Sequence, residues 1–305
     1  MKPKRRIAIA GVTGFIGRGL PALFAAAGWE CTGISRNRAA NHPHVTSWQT
    51  PEGLALAGHD AVVNLAGEPI AKRWTKKNFP KFRESRVGFT NHLVGSIARL
   101  PEHERPRVLV NGSAVGIYGD RGDVPLEEDA ARGTGPLADL CDEWENAALA
   151  AVPLGLRVVL PRIGIVLGND GGAYHSLATV FRLGLGGRLG DGTQWMSWIH
   201  LEDMRALILH SVLNPALAGP LNACAPTPVR NAEFTRTLSA SLHRPAFFHV
   251  PAPVLKWTLG GFGGALLESQ RAVPRALADA GFRFRFAELA TALHDLAGSR
   301  RKSFQ

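Results

Sequence analysis

Tyrosine is almost missing from this chain. Of 305 residues only Tyr118 and Tyr174 carry a phenol, so any reaction that needs a tyrosine acid has two candidates at most. Cysteine is scarce too: Cys31, Cys141 and Cys224 lie too far apart in sequence for a CxxC pair, which excludes a disulfide framework or a structural zinc site and suits a reducing compartment. No apolar run approaches the roughly 18 residues of a membrane span. The apolar stretch behind the basic residues Lys2 to Arg6 meets Gly11 too early for a signal peptide. A cytoplasmic protein with no membrane and no metal partner is expected. Acidic residues number 25 against 35 basic ones, a formal charge of +10. The basic clusters at Lys2 to Arg6, Lys72 to Arg86 and Arg300 to Lys302 come with no helix-turn-helix, zinc-finger or RNP signature. The charge therefore reads as a solvated surface whose field favours anionic ligands, not as a nucleic-acid footprint.

What is present alternates between two periods. Ile7-Ala8-Ile9-Ala10 is a short apolar run closed by Gly11, and Ile16, Leu20, Leu23, Phe24 and Ala27 then recur at helical spacing. Further strands are expected at Cys31 to Ile34, Ala61 to Ala66, Arg107 to Asn111, Arg157 to Leu160 and Leu221 to Ala223, with helices around Phe82 to Leu100 and Pro136 to Ala151. The alternation predicts an α/β protein: a Rossmann-type, doubly wound parallel sheet with a smaller, mainly helical C-terminal lobe. The sheet domain is expected over 1–226 and the lobe over 227–305, with loops in 163–198 contributing to it. Val229 to Leu242, Pro253 to Leu267 and Phe286 to Leu296 read as the lobe's helices, and residues from Ser299 onward as a loose tail.

Gly11, Gly14 and Gly17 have the spacing GxxGxxG between a strand and a helix, the context in which a pyrophosphate can approach the backbone closely. After the second strand the acid that would hold a ribose 2'-hydroxyl is absent. Ser35-Arg36 stands there, with Arg38 nearby, and a guanidinium suits a 2'-phosphate through paired charge-assisted hydrogen bonds. NADP is therefore expected over NAD. Arg86 falls inside the apolar stripe of Phe82, Phe89, Leu93 and Ile97, so it must reach solvent, an acid or a bound phosphate group.

These motifs, with Asn64-Leu65-Ala66-Gly67-Glu68-Pro69-Ile70, Arg73-Trp74, Ser85-Arg86, Ser113 to Asp120, Trp144-Glu145, Arg162 to Gly168, Ser197 to Asp203 and the terminal Val273-Pro274 with Gly281 to Phe284, resemble the extended short-chain dehydrogenase/reductase superfamily. Within it the chain is similar to the atypical group of epimerase-family oxidoreductases that includes the SDR39U-type proteins, with their small C-terminal domain. The resemblance implies NADP contacts at Ser35, Arg36, Leu65, Ala66, Arg86 and Ile165. The turn residues Gly11, Thr13, Gly14, Phe15, Ile16 and Gly17, together with Gly67 and Glu68, complete the expected cofactor set. A family contact near position 81 is in doubt because Lys81 stands there.

The same family places Tyr-x-x-x-Lys on the helix that here begins Pro136-Leu137-Ala138-Asp139-Leu140-Cys141. The tyrosine position holds Leu137 and the lysine position Cys141, and neither tyrosine of the chain begins a shifted copy of the motif. Ser113 fills the serine position, which in the ordinary mechanism polarises the substrate carbonyl while the tyrosine transfers the proton. The proton must then come from elsewhere, and Tyr118, on the loop after Ser113, is the first candidate. Glu68, His200 and Asp203 are the others, although Glu68 suits a cofactor contact and the 200–203 segment suits fastening the two lobes. Cys141 either ionises or simply packs. Trp74, Gln194, Trp195 and Trp198 are candidates for a planar-ligand pocket. The expected function is an NADP-dependent reductase or epimerase acting on an unidentified small molecule with a substituted acid. The alternative is a catalytically weak NADP-binding regulator or sensor, of the kind linked to cell division.

Overall fold

The computed structural model describes residues 4–37 and 40–302, the last few of these as helical backbone. Seven strands form one parallel sheet: β1 (Arg5–Ala10), β2 (Trp29–Ile34), β3 (Ser47–Gln49), β4 (Ala61–Asn64), β5 (Val108–Asn111), β6 (Arg157–Ile163) and β7 (Gly219–Ala223). Their spatial order is β7-β6-β5-β4-β1-β2-β3, and a stub at Ser113–Ala114 adds to β6. Period-two alternation assigns the faces. Ile7 and Ile9 of β1 join Val63, Val110 and Val159 on one side of the sheet. Ala8 and Ala10 join Val62, Leu109 and Val158 on the other. Both faces are covered, so the strands are apolar on both sides.

Helix α1 (Leu20–Ala26) and helix α6 (Leu201–Leu213) cover the first face, burying Leu20, Phe24, Met204, Leu207 and Ile208. The second face takes a helix built from α2 (Phe79–Arg83), a π-helical turn Glu84–Gly88 and α3 (Phe89–Ala98), then α4 (Pro136–Leu149). The strand order reverses between β1 and β4, and open sheets of this kind bind ligands at the strand ends beside such a reversal.

The smaller lobe packs α5 (Gly172–Arg182), α7 (Asn231–Leu242) and the C-terminal α10 (Leu289–Lys302) around Tyr174, Phe181, Trp198 and Phe234. Five findings differ from the sequence expectation. Strand β3 and helices α5 and α6 were not anticipated; in α6 the charged residues Glu202, Asp203 and Arg205 break up the apolar stripe. The helix expected over Pro253 to Leu267 is two helices, α8 (Ala252–Leu259) and α9 (Gly261–Ala265). Gly260 separates them at φ +60°, where a Cβ would sit 2.6 Å from the Trp74 carbonyl oxygen. The tail expected from Ser299 is helical through Lys302. Lys2, Arg38 and residues 303–305 lie outside the described residues.

Candidate cofactor and substrate site

The glycine turn works by backbone approach. Gly11 has φ +78°, and a Cβ there would lie 2.7 Å from the Leu65 carbonyl carbon and oxygen; a Cβ on Gly17 would run into the Gly11 carbonyl. Side chains at these positions would therefore drive the turn away from the loop that follows β4. That loop is pinned from below. Asn64 accepts the Ala66 N–H at 3.1 Å and donates to Asn111 Oδ1 at 2.6 Å and Thr90 Oγ1 at 3.0 Å, all three side chains being buried. Asparagine at the ends of two apolar strands was the available signal for this network.

Two adjoining cavities open along these segments. One, of about 440 Å³, is bordered by Thr13, Ser35, Arg36, Glu68, Ser85 and Phe89. The other, of about 580 Å³, is bordered by Phe15, Ile16, Gly17, Arg86, Ser113 and Ile165. Gly11, Gly14, Leu65, Ala66 and Gly67 border both, so every expected cofactor residue lines one or the other of two cavities that share this wall. The glycine cradle, the two adjoining cavities and the exposed Arg36 beside buried Ser35 fit a dinucleotide. Arg36 forms no ion pair among the described residues. Glu68 pairs with Lys72 at 2.5 Å, and that bond holds its carboxyl below the usual range. It is thus placed as an anion beside the cofactor cleft, not as a proton donor. Lys81 is exposed on α2.

Arg86 sits in the π-helical turn. Its guanidinium donates to the Glu68 carbonyl at 3.0 Å, lies 5.3 Å from the Trp144 ring centre, and faces the Cα of Gly67 so closely that a Cβ there would meet it at 3.0 Å. The neighbouring Ser85 hydroxyl accepts the Glu68 N–H at 2.9 Å. The π-turn, a device common at functional sites, sets consecutive side chains to clamp the backbone of Glu68 from both sides. Among the described residues Arg86 meets no carboxylate within ion-pair distance, and burial lowers its pKa. A charge in that position calls for an anionic partner from outside the chain.

Leu137 and Cys141 both face the larger cavity. Leu137 packs on Gly116. Cys141 is fully buried, and desolvation pushes its thiol up to about 12, so it is a neutral packing group and not a nucleophile. Ser113 lines the cavity, but its hydroxyl donates to Glu145 Oε1 at 2.6 Å. Glu145 in turn holds Arg162 through bonds of 2.9 and 3.0 Å. Ser113 therefore offers lone pairs, not a proton, to a ligand, which corrects its expected role of polarising a carbonyl.

Tyr118 also requires correction. It is 0% exposed and absent from the cavity wall. Its hydroxyl donates to Asn222 Oδ1 at 2.7 Å and accepts from the Arg162 guanidinium at 2.9 Å, while burial pushes its pKa up to about 12. The phenol links the 115–118 turn to β6 and β7 and has no path to a ligand.

His200 and Asp203 fasten the lobes. The Asp203 carboxylate accepts the N–H groups of Arg285 and Phe286 at 2.8 and 2.9 Å. His200 stacks on Phe286 with ring centres 3.9 Å apart and caps α6 through the Glu202 N–H. Of the proposed planar-ligand residues, Trp74 and Trp195 line the larger cavity. Gln194 instead borders a separate polar cleft, and Trp198 is buried in the lobe core. Glu145 and Arg162 stood in motifs of the sequence without an assigned role, and Glu268, a half-buried carboxyl on the cavity wall, was missed.

Residues 7–221 match the NAD dependent epimerase/dehydratase family. The chain belongs to this family. A second match, to a domain of unknown function (DUF1731), covers residues 250–296. An epimerase family protein of Mycobacterium bovis is 40% identical over 94% of this chain and 96% of its own length. The chloroplastic SDR39U1 homologue of Arabidopsis thaliana is 37% identical over 94% of this chain and 85% of its own length. Among solved structures, human epimerase family protein SDR39U1 with NADPH superposes with a TM-score of 0.87 at 34% identity, covering 96% of this chain and 99% of that one. In this epimerase-family member the glycine cradle is present, and helix α4 presents Leu137 and Cys141 to the cavity.

Proposed function

We propose that the protein binds NADP(H) in preference to NAD(H) and is an oxidoreductase or epimerase acting on a small molecule in the cytoplasm. One observation carries this reading: the cavity of Ser35 and Arg36 and the cavity of Ser113, Leu137 and Cys141 adjoin across the shared wall of Gly11, Gly14 and Leu65 to Gly67. The human relative with NADPH supports the choice of dinucleotide. When bound, the dinucleotide supplies or accepts the hydride. The chain's residues do the rest. Arg36 offers a fork for a 2'-phosphate, the Gly11 turn admits the pyrophosphate, Arg86 awaits an anion, and the wall of Ile165, Leu137 and Trp144 keeps water from the reacting end. The compartment rests on three free buried cysteines; among the described residues no helix is long and apolar enough to cross a membrane. Calorimetric titration of NADPH and NADH, with native mass spectrometry of the purified protein for any retained ligand, tests the reading. Equal affinities would overturn the NADP assignment.

A cofactor-binding regulator or sensor is the second reading. It is favoured by the apolar pair Leu137 and Cys141 where the family carries its titratable pair. Turnover of any small molecule that NADPH accompanies would remove it.

A further inference from the structure

The larger cavity has a sparse set of charges. Among its lining residues Arg86 is the one cation and Glu268 the one carboxylate. Arg86 is engaged at the cofactor end by the Glu68 carbonyl and the Trp144 face. Glu268 enters from the C-terminal lobe, just past α9, next to Leu266 and Gln270. The wall is otherwise mainly apolar, with Ile70, Trp74, Leu137 and Trp195, and its neutral polar groups include Ser197 and Asn231. A nucleotide sugar brings a pyrophosphate of its own, and no lining cation remains to meet it once Arg86 serves the cofactor. The usual proton sources are also spent: the Ser113 hydrogen is committed to Glu145, and Tyr118 is sealed off.

We propose that Glu268 is the proton-donating group of this cavity, and that the ligand it serves is a neutral, mainly apolar, ring-sized carbonyl compound or the corresponding alcohol. The inference rests on the oxidoreductase reading above for its hydride. Gln270 donates to Glu268 Oε2 at 3.1 Å, which orients the group and leaves Oε1 to carry the proton. Burial and the charge of Asp120, which is itself bonded to the Ser269 N–H, raise the pKa of Glu268, with the Gln270 bond opposing them. The remaining ionisable groups on the cavity wall are Arg86 and the neutral thiol of Cys141. In the reductive direction Glu268 gives its proton to the ligand oxygen as the carbonyl carbon accepts a hydride, with reduced nicotinamide dinucleotide as the reductant. The alcohol departs and water reprotonates the carboxylate. In the oxidative direction the same carboxylate accepts the hydroxyl proton.

The test uses 2-naphthaldehyde as probe with the full chain, Glu268→Gln and Glu268→Ala. Binding is measured by calorimetry on the NADP⁺-loaded protein, and NADPH oxidation is followed by absorbance. Wild-type affinity for the aldehyde is expected to fall about tenfold as rising pH ionises the carboxyl. Glu268→Gln keeps a hydrogen-bond donor, so it should bind with no such pH dependence yet oxidise NADPH at least about 100-fold more slowly. Glu268→Ala should lose about tenfold in affinity. NADPH affinity, titrated separately, should match in all three proteins. Three results would overturn the proposal: no aldehyde binding, binding indifferent to Glu268→Ala, or pH-dependent binding without any NADPH oxidation. Tighter binding of UDP-glucose than of the aldehyde would overturn the ligand class. Failure of NADPH to bind would sink the cofactor reading instead, and aldehyde binding by the dinucleotide-free variants would still report on Glu268.

Discussion

The Ser113 hydroxyl points its proton at Glu145, 2.6 Å away, and not at the cavity. That bond ties the wall of the site to a buried chain running through Arg162 and Tyr118 to Asn222. Glu145→Gln would leave the Arg162 guanidinium buried beside a neutral amide, and unpairing a buried ion pair of this kind costs about 3–5 kcal/mol. Tyr118→Phe would strip a partner from Asn222 and Arg162 and cost about 1–3 kcal/mol. Chemical denaturation of both variants checks the ranking, and NADPH affinity should be unchanged in Tyr118→Phe. A Tyr118→Phe protein of wild-type stability that had lost its turnover would make the phenol the acid after all.

On the wall of the smaller cavity Arg36 is exposed and without an ion pair among the described residues. Arg36→Ala should reduce NADPH affinity by about 1–3 kcal/mol, the value of a charged hydrogen-bonded contact, while leaving NADH affinity nearly unchanged. Calorimetry with the two dinucleotides measures the difference directly. A variant that weakened both equally would mean that Arg36 does not read the 2'-phosphate.

Arg86 is the reverse case, a half-buried charge held only by carbonyls and an aromatic face. Because a buried charge without its counter-ion is costly, Arg86→Met should leave the dinucleotide-free protein within about 1 kcal/mol of wild type while weakening NADPH binding about tenfold or more. Thermal unfolding with and without NADPH separates the two effects. Marked destabilisation of the free protein with normal NADPH binding would make Arg86 a structural residue.

How much of this was legible depended on how far apart in sequence the partners lie. The glycine turn was readable because its spacing lies within seven residues of one strand, although the Leu65 backbone that Gly11 approaches comes from a distant loop. Arg86 was readable because a charge inside an apolar helical stripe is a local contradiction. Tyr118 was misread because the groups that hold its hydroxyl, Arg162 and Asn222, are 44 and 104 residues away. Until they fold together, a tyrosine after Ser113 looks exposed to substrate. Glu145 was hidden in the charged run Asp142-Glu143-Trp144-Glu145, where helical spacing does not say which acid turns inward. Glu268 follows a glycine-broken helix, and its pKa is raised by burial and then by Asp120 from a distant loop, neither of which local spacing shows.

The lobe junction carries its own pH signature. Burial lowers the pKa of His200 to about 4, outweighing Asp295 at 3.6 Å, while Arg285 and Arg205 add to the depression. The unfolded chain therefore binds the proton first, between its ordinary value of about 6.5 and about 4, and stability falls as pH falls through that window. The full contribution is roughly 3 kcal/mol at about 1.4 kcal/mol per unit. His200→Asn retains a cap acceptor but cannot titrate, so its unfolding free energy should decline less steeply than wild type over the same range. Parallel slopes in urea titrations would show that His200 is not the group responsible.

Restoring the family's missing pair should not restore its chemistry. Leu137 already fills the space against Gly116, and Cys141 is fully buried beside Arg86, which its titration senses. Leu137→Tyr adds a ring to an occupied position, at about 1–3 kcal/mol for overpacking. Cys141→Lys places an ammonium near an existing guanidinium in a desolvated wall. The double variant should therefore melt well below wild type. It should also gain no oxidation or epimerisation of UDP-glucose, because the cavity that would receive the sugar nucleotide still offers no cation beyond Arg86. Absorbance at the reduced-dinucleotide band, with NADP⁺ and UDP-glucose supplied together, decides the oxidation, and chromatographic separation of UDP-glucose from its C4 epimer decides the epimerisation. A double variant that folded as stably as wild type and turned over UDP-glucose would show that the cavity is built for nucleotide sugars, and that only the titratable pair had been lost.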